Sequence, residues 1–222
     1  MSVQEDKHIG IIFDLDGTLW DSSKQVVDSW NLALEQCPDI NRKITVKDMH
    51  DNMGKILPDI GKALITGVSD ERRAEILELC CMVENEYIEK VGGELFDGAE
   101  EMFITLSRKY SLFIVSNCQA GYIEAFLKYY KFSKYFRDIE CPGNTGKLKG
   151  DNIKLIMKRN NISKAVYVGD TFGDYEAATD VAGIPFVHAR YGYGTVEEAQ
   201  YAADSIQEVI KVIDQMTEEE IV

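Results

Sequence analysis

From residue 8 to 13 the chain reads HIGIIF, apolar and β-branched, and it turns polar at Asp14 and Asp16-Gly17. That pattern predicts a buried strand ending in a turn. Helical spacing follows. Val26, Val27, Trp30 and Leu34 predict a helix over 22–36, capped by Asp21 or Ser22. Further helices are predicted over 45–53, 56–65 and 70–90. Ser69 or Asp70 would cap the last, with Ile76, Leu77, Cys80, Val83 and Tyr87 on its apolar side.

Val91-Gly92-Gly93 breaks the helical run, and from there two periodicities alternate. Helices are predicted over 99–109, 120–130, 151–159, 174–182 and 205–216. Strands are predicted over 111–116, 135–140, 165–168 and 184–188. Such alternation implies an α/β fold with a doubly wound parallel sheet covered by helices on both faces. The all-helical stretch after the first strand reads as an insertion. The expected organisation is an α/β core of 1–17 and 94–222 with a small helical domain over 18–93.

The 222 residues carry a formal net charge of -14, which repels nucleic acid phosphates and anionic membrane surfaces. Neither is an expected partner, and an anionic substrate would need local positive charge. The five cysteines are odd in number and scattered, without a Cys-x-x-Cys pair, so neither a disulfide framework nor a zinc ribbon is expected. No segment has the ~20 apolar residues needed to span a bilayer. The opening MSVQEDKHIGII lacks a basic stretch leading into a long apolar run, so a cytoplasmic location is expected. Nothing in the pattern fixes an oligomeric state.

In open parallel sheets, ligands bind beyond the carboxyl ends of the strands. The first strand ends in Asp14-Leu15-Asp16-Gly17-Thr18, another in Ser116-Asn117, and a third in Gly169-Asp170 with Asp174 one helical turn on. A basic segment, Gly146-Lys147-Leu148-Lys149, precedes the helix at 151. One Asp at a strand end is ordinarily a cap. Four acids at one sheet edge repel each other strongly at low dielectric, so a cation or a shared proton must sit among them. Oxygen ligands alone favour Mg2+.

DLDGT after an apolar strand, then Ser-Asn, a lysine and VGDxxxD, in that order, resemble the haloacid dehalogenase superfamily. The resemblance runs from Ile9 to about Val187. It implies a phosphatase acting on a small phosphorylated metabolite. Asp14 would be the nucleophile and Asp16 the acid and base. Ser116 and Lys147 would hold the phosphoryl group, with Thr18 and Asn117 beside it. Mg2+ would be bound by Asp14, the Asp16 carbonyl and Asp170, with Asp174 outside them. The family's proline-rich stretch after its lysine is replaced by Leu148-Lys149-Gly150. Aligning the next helix favours Lys147, with Lys149 as the alternative.

The insertion resembles the four-helix cap of phosphoglycolate phosphatase-like members, hinged at Trp20-Asp21 and Val91-Gly92-Gly93. Lys55 could then face the substrate and suit a second anionic group. Asp16 argues against dehalogenation. Val26, at about the place where related sugar-phosphate mutases carry a histidine, argues for hydrolysis over a β-phosphoglucomutase-type reaction. A non-catalytic phospho-signalling module would not need Asp16 and would lack the insertion. His8, His50 and His188 show no metal-ligand spacing and read as packing or surface residues.

Overall fold

A computed structural model describes residues 9–219; the expectation for His8 lies outside them. Strand β1 (Ile9–Phe13) is buried along its whole length. It lies at the centre of a six-stranded sheet with β4 (Ser111–Val115), β5 (Phe136–Glu140), β6 (Lys164–Gly169), β7 (Phe186–Ala189) and β8 (Tyr201–Ala203). The order is β5-β4-β1-β6-β7-β8 and every pairing is parallel. The fold is therefore α/β with a parallel sheet and an inserted helical region, as the alternating pattern implies.

Side chains alternate across the sheet, since successive Cβ atoms in a strand point to opposite faces. Ile12, Phe113, Val115 and Tyr167 pack on one face with Ile153 and Ile156 of α8 (Lys149–Asn160). Ile11, Phe13, Ile114 and Val168 pack on the other with α5 (Ala99–Leu106), α6 (Tyr122–Tyr130) and α10 (Ile206–Glu218). Both faces are covered, which is why these strands read as continuous apolar runs.

The insertion holds α1 (Ser23–Leu34), α2 (Val46–His50), α3 (Leu57–Leu64) and α4 (Asp70–Val91). A short antiparallel ribbon joins it to the sheet: β2 (Trp20–Asp21) pairs with β3 (Glu94–Leu95). Two-residue strands leave no periodicity to read, so this ribbon had no signal in the pattern. Trp20 is fully buried there, 4.9 Å from the Phe126 ring.

Two boundaries differ from expectation with chemical consequences. Helix α8 starts at Lys149, two residues before Asp151, with Leu148 as its N-cap. Gly150 permits this, because a Cβ there would lie 2.5 Å from Val181. The helix expected over 174–182 begins earlier, as α9 (Phe172–Glu176), and continues as a π-helical turn over Ala177–Ala182. β8, with only three residues, was not expected.

Candidate active site

Four strand or helix ends converge at one edge of the sheet. Asp14 follows β1, Ser116 follows β4, Asp170 follows β6, and Asp174 lies in α9. Asp14, Asp170 and Asp174 are all buried, and a carboxylate oxygen of each lies within 4.8 Å of the others. Thr171 caps α9 in a reciprocal box: its hydroxyl donates to Asp174 Oδ2 at 2.7 Å and its amide at 3.0 Å. The cap thus fixes the Asp174 carboxylate toward the sheet edge.

The cation among these acids is Lys149. Its Nζ donates to Asp14 Oδ1 at 3.0 Å and also to Asp174 Oδ1. Lys149 is 4% exposed, whereas Lys147 is exposed in the loop before α8. The expected lysine is thus corrected: the earlier helix start puts Lys149 in the first turn, aimed at the strand ends, and leaves Lys147 outside. Burial disfavours the charged amine, but Asp14 and Asp174 outweigh it and hold Lys149 above its ordinary value.

One lysine does not balance three buried carboxylates. Burial, then Asp174, pushes the Asp14 carboxyl up to about 7, against the pull of Lys149 and a hydrogen bond from Ser116. Burial, Asp174 and Asp14 push Asp170 well above the carboxylate range. Such a trio of oxygen donors, short of positive charge, fits a hard divalent cation. Gly17 closes the back of this cluster with φ +78; a Cβ there would lie 2.3 Å from Asp170 Oδ2.

Asp16 is placed differently. Its Oδ1 accepts from Trp20 Nε1 at 2.9 Å, Ser22 Oγ at 2.6 Å and Tyr122 OH at 2.9 Å. Its side chain is outside the metal-type trio. Burial raises its carboxyl above the ordinary value, and the Ser22, Tyr122 and Trp20 donors pull it back. Burial and Asp16 hold the Tyr122 phenol well above its usual value, so it remains a donor.

Asp14, Asp16, Ser116, Asn117 and Lys149 line a cavity of about 50 Å³ that the insertion roofs with Val26, Trp30, Met49, Met53, Ile60 and Glu84. Asn117 Nδ2 donates to Gly54 O at 3.0 Å, and Asn85 Nδ2 donates to Ala120 O at 2.8 Å, so the roof is bonded to the core. Thr18 does not line the cavity. Its hydroxyl instead faces Asp170 Oδ1 at 3.4 Å, behind the cluster. Lys55 lines the rim, but its ammonium is bonded to Asp51 O at 3.1 Å and Asn52 Oδ1 at 2.9 Å.

The profile of the haloacid dehalogenase-like hydrolases matches residues 11–189, which takes in every one of these side chains. The chain belongs to the haloacid dehalogenase-like hydrolases. A phosphoglycolate phosphatase of Cupriavidus necator is 25% identical over 211 residues, covering 91% of this chain and 90% of that protein. Among solved structures, a haloacid dehalogenase-like hydrolase from Streptococcus pneumoniae superposes with a TM-score of 0.78 at 22% identity, covering 92% and 97% of the two chains. A β-phosphoglucomutase from Clostridium difficile superposes at 0.74 and 18% identity, covering 96% and 98%. Hydrolase and mutase thus share this haloacid dehalogenase-like fold, and only side chains can separate them.

Glu84, Gln119 and Tyr122 were missed as site residues. Glu84 alone left a trace: it falls at the four-residue spacing of Ile76, Cys80 and Ile88, on an otherwise apolar stripe. All five cysteines are free, and no helix among the described residues is long and apolar enough to cross a membrane. His188 is buried, and His50 packs on Tyr193 with ring centroids 5.0 Å apart.

Proposed function

We propose that this hydrolase is a magnesium-dependent phosphatase of a small phosphomonoester, with residues 18–93 acting as a cap over a core of 1–17 and 94–222. The observation that carries the reading is the buried Asp14 carboxylate bonded to Lys149 on the floor of a roofed cavity whose wall also holds Asp16.

Asp14, Asp170 and Asp174 would hold Mg2+; the ion would supply charge neutralisation for an anionic phosphoryl group and favour the ionised form of Asp14. Lys149 and Ser116 orient the Asp14 carboxylate. Its oxygen forms a bond to phosphorus while the ester P–O bond breaks, and the electron pair goes to the leaving oxygen. Asp16, whose carboxyl is raised by burial, gives its proton to that oxygen. The resulting Asp16 carboxylate takes a proton from water, whose oxygen attacks phosphorus and releases phosphate from Asp14. Trp20, Ser22 and Tyr122 hold Asp16 for both transfers.

Hydrolysis is favoured over a mutase reaction by the cavity wall. Val26 lies there, and no histidine lines the cavity among the described residues to hand a proton to a second hydroxyl. The test is direct. Purified protein with MgCl2 should release phosphate from p-nitrophenyl phosphate, and Asp14→Asn should reduce release to background. Turnover that survives that substitution rejects Asp14 as nucleophile.

A further inference from the structure

The roof of the cavity carries one buried ionisable side chain, Glu84 of α4, which is 4% exposed. Its neighbours on the same helix face are Ile76, Cys80 and Ile88. A carboxylate in such a stripe costs more than an apolar residue unless something pairs with it. No cation of the described residues forms an ion pair with it. Trp30 Nε1 donates to Glu84 Oε2, and Gln119 adds a further bond from the core. These two donors aim the carboxylate but do not neutralise it. Burial pushes its carboxyl up to about 7, and Asp16 adds to the rise.

Glu84 lines the same cavity as Asp14, on the insertion's side with Val26, Trp30, Met49 and Ile60. When phosphorus sits at Asp14, the alcohol part of the ester must occupy this side. We propose that Glu84 selects the leaving group, accepting a hydrogen bond from a hydroxyl or ammonium on the alcohol and rejecting a carboxylate there. This rests on the phosphatase reading and narrows it. A second anion would meet Glu84, while Lys55, the insertion's cation at the rim, is bonded to Asp51 and Asn52. A donor group would fit the acid and the apolar wall around it. An ammonium would also gain from the Trp30 ring.

The test compares four esters of two-carbon alcohols: 2-phosphoglycolate, 2-hydroxyethyl phosphate, 2-aminoethyl phosphate and ethyl phosphate. Binding to Asp14→Asn with Mg2+ is measured by titration calorimetry at about pH 8.5, above the raised Glu84 value so that its carboxylate is ionised, and needs no turnover. Both donor-bearing esters should bind about tenfold or more tightly than phosphoglycolate, the size of one charge-assisted hydrogen bond gained or lost. Adding Glu84→Gln keeps the shape and one acceptor oxygen but removes the charge. The advantage of 2-aminoethyl over ethyl phosphate should then fall by about tenfold, because it depends on the charge, whereas that of 2-hydroxyethyl phosphate should persist on the remaining acceptor oxygen. The handicap of phosphoglycolate should shrink.

Phosphoglycolate binding as well as the donor-bearing esters, with Glu84 intact, overturns the proposal. So does a Glu84→Gln variant in which all four affinities keep their ratios. Failure of the wider reading looks different: the unsubstituted protein would release phosphate from none of the four, nor from p-nitrophenyl phosphate, while the binding order still held.

Discussion

Lys149 Nζ stands 3.0 Å from Asp14 Oδ1, and both side chains are buried. The ammonium is shared with Asp174, so a single charge serves both the proposed nucleophile and a neighbouring acid. Lys149→Met should lower kcat/KM on the order of 100-fold or more, as expected when a buried charge stabiliser is lost. Lys147→Ala, in the exposed loop, should change it less than about twofold. Steady-state kinetics of the two variants side by side would decide which lysine serves the site. Equal losses would contradict the placement.

Cation binding should depend on pH with a definite sign. The Asp14 carboxyl is raised from 3.8 to about 7, and burial with Asp174 and Asp14 raises Asp170 well above the carboxylate range. A cation must displace those protons, so Mg2+ affinity should rise with pH, by up to about tenfold per unit for each proton released. Titrations of Mg2+ at several pH values between 5 and 8 give the slope. A flat profile would mean that Asp14 is already ionised without the metal.

The same shifts bear on stability. Asp14 and Glu84 both have folded values near 7, above their ordinary 3.8 and 4.5. Groups raised in this way stabilise the fold fully at acid pH, and that contribution is lost as pH rises through about 7. The metal-free protein should therefore melt at a lower temperature at pH 8 than at pH 5.5. Excess Mg2+ should recover part of the loss at pH 8, because it binds the folded state. Thermal melts with Mg2+ or EDTA report both effects.

Tyr122 contacts Asp16 without facing the trio of acids. Tyr122→Phe removes one of three donors to Asp16 Oδ1, and the remaining donors pull its carboxyl down less. The acid should then hold its proton to higher pH. The limb of the pH–rate profile that reports Asp16 should move upward, with kcat falling roughly tenfold at neutral pH. A merely structural role for Tyr122 would lower activity or melting temperature with the profile unmoved.

Gly17 permits the turn after Asp16 that packs against Asp170. Its φ of +78 and the 2.3 Å approach to Asp170 leave no place for a Cβ. Gly17→Ala should cost roughly 1–3 kcal/mol of stability from backbone strain, and more if Asp170 cannot shift. Calorimetric unfolding and Mg2+ affinity should both register it.

The strand ends were legible in sequence because a parallel sheet confines its polar residues there. Asp14, Asp16, Ser116 and Asp170 each follow an apolar run, and the structure gathers them at one edge. Lys149 rather than Lys147 reaches Asp14 because a helix start is not encoded by local sequence alone. The pattern starts that helix at 151, but the close approach of Gly150 to Val181, 31 residues away, lets it start at Lys149. Glu84 and Tyr122 were invisible for a related reason. Their importance lies in what stands across the cavity from them, and helical spacing reports only the residues on the same helix. Thr18 shows the opposite error: a motif position read as facing substrate lies behind Asp170.

Trp20 and Ser22, two of the three groups that fix Asp16, lie in and directly after the strand through which the chain leaves the sheet for the insertion. A swing of the proposed cap would pull on that strand and so on Asp16. Shutting the chamber and placing its acid would then be one movement, and an open chamber would hold the proposed nucleophile with no partner ready to release the alcohol. Such an arrangement would protect bystander phosphoesters that brush an unclosed site.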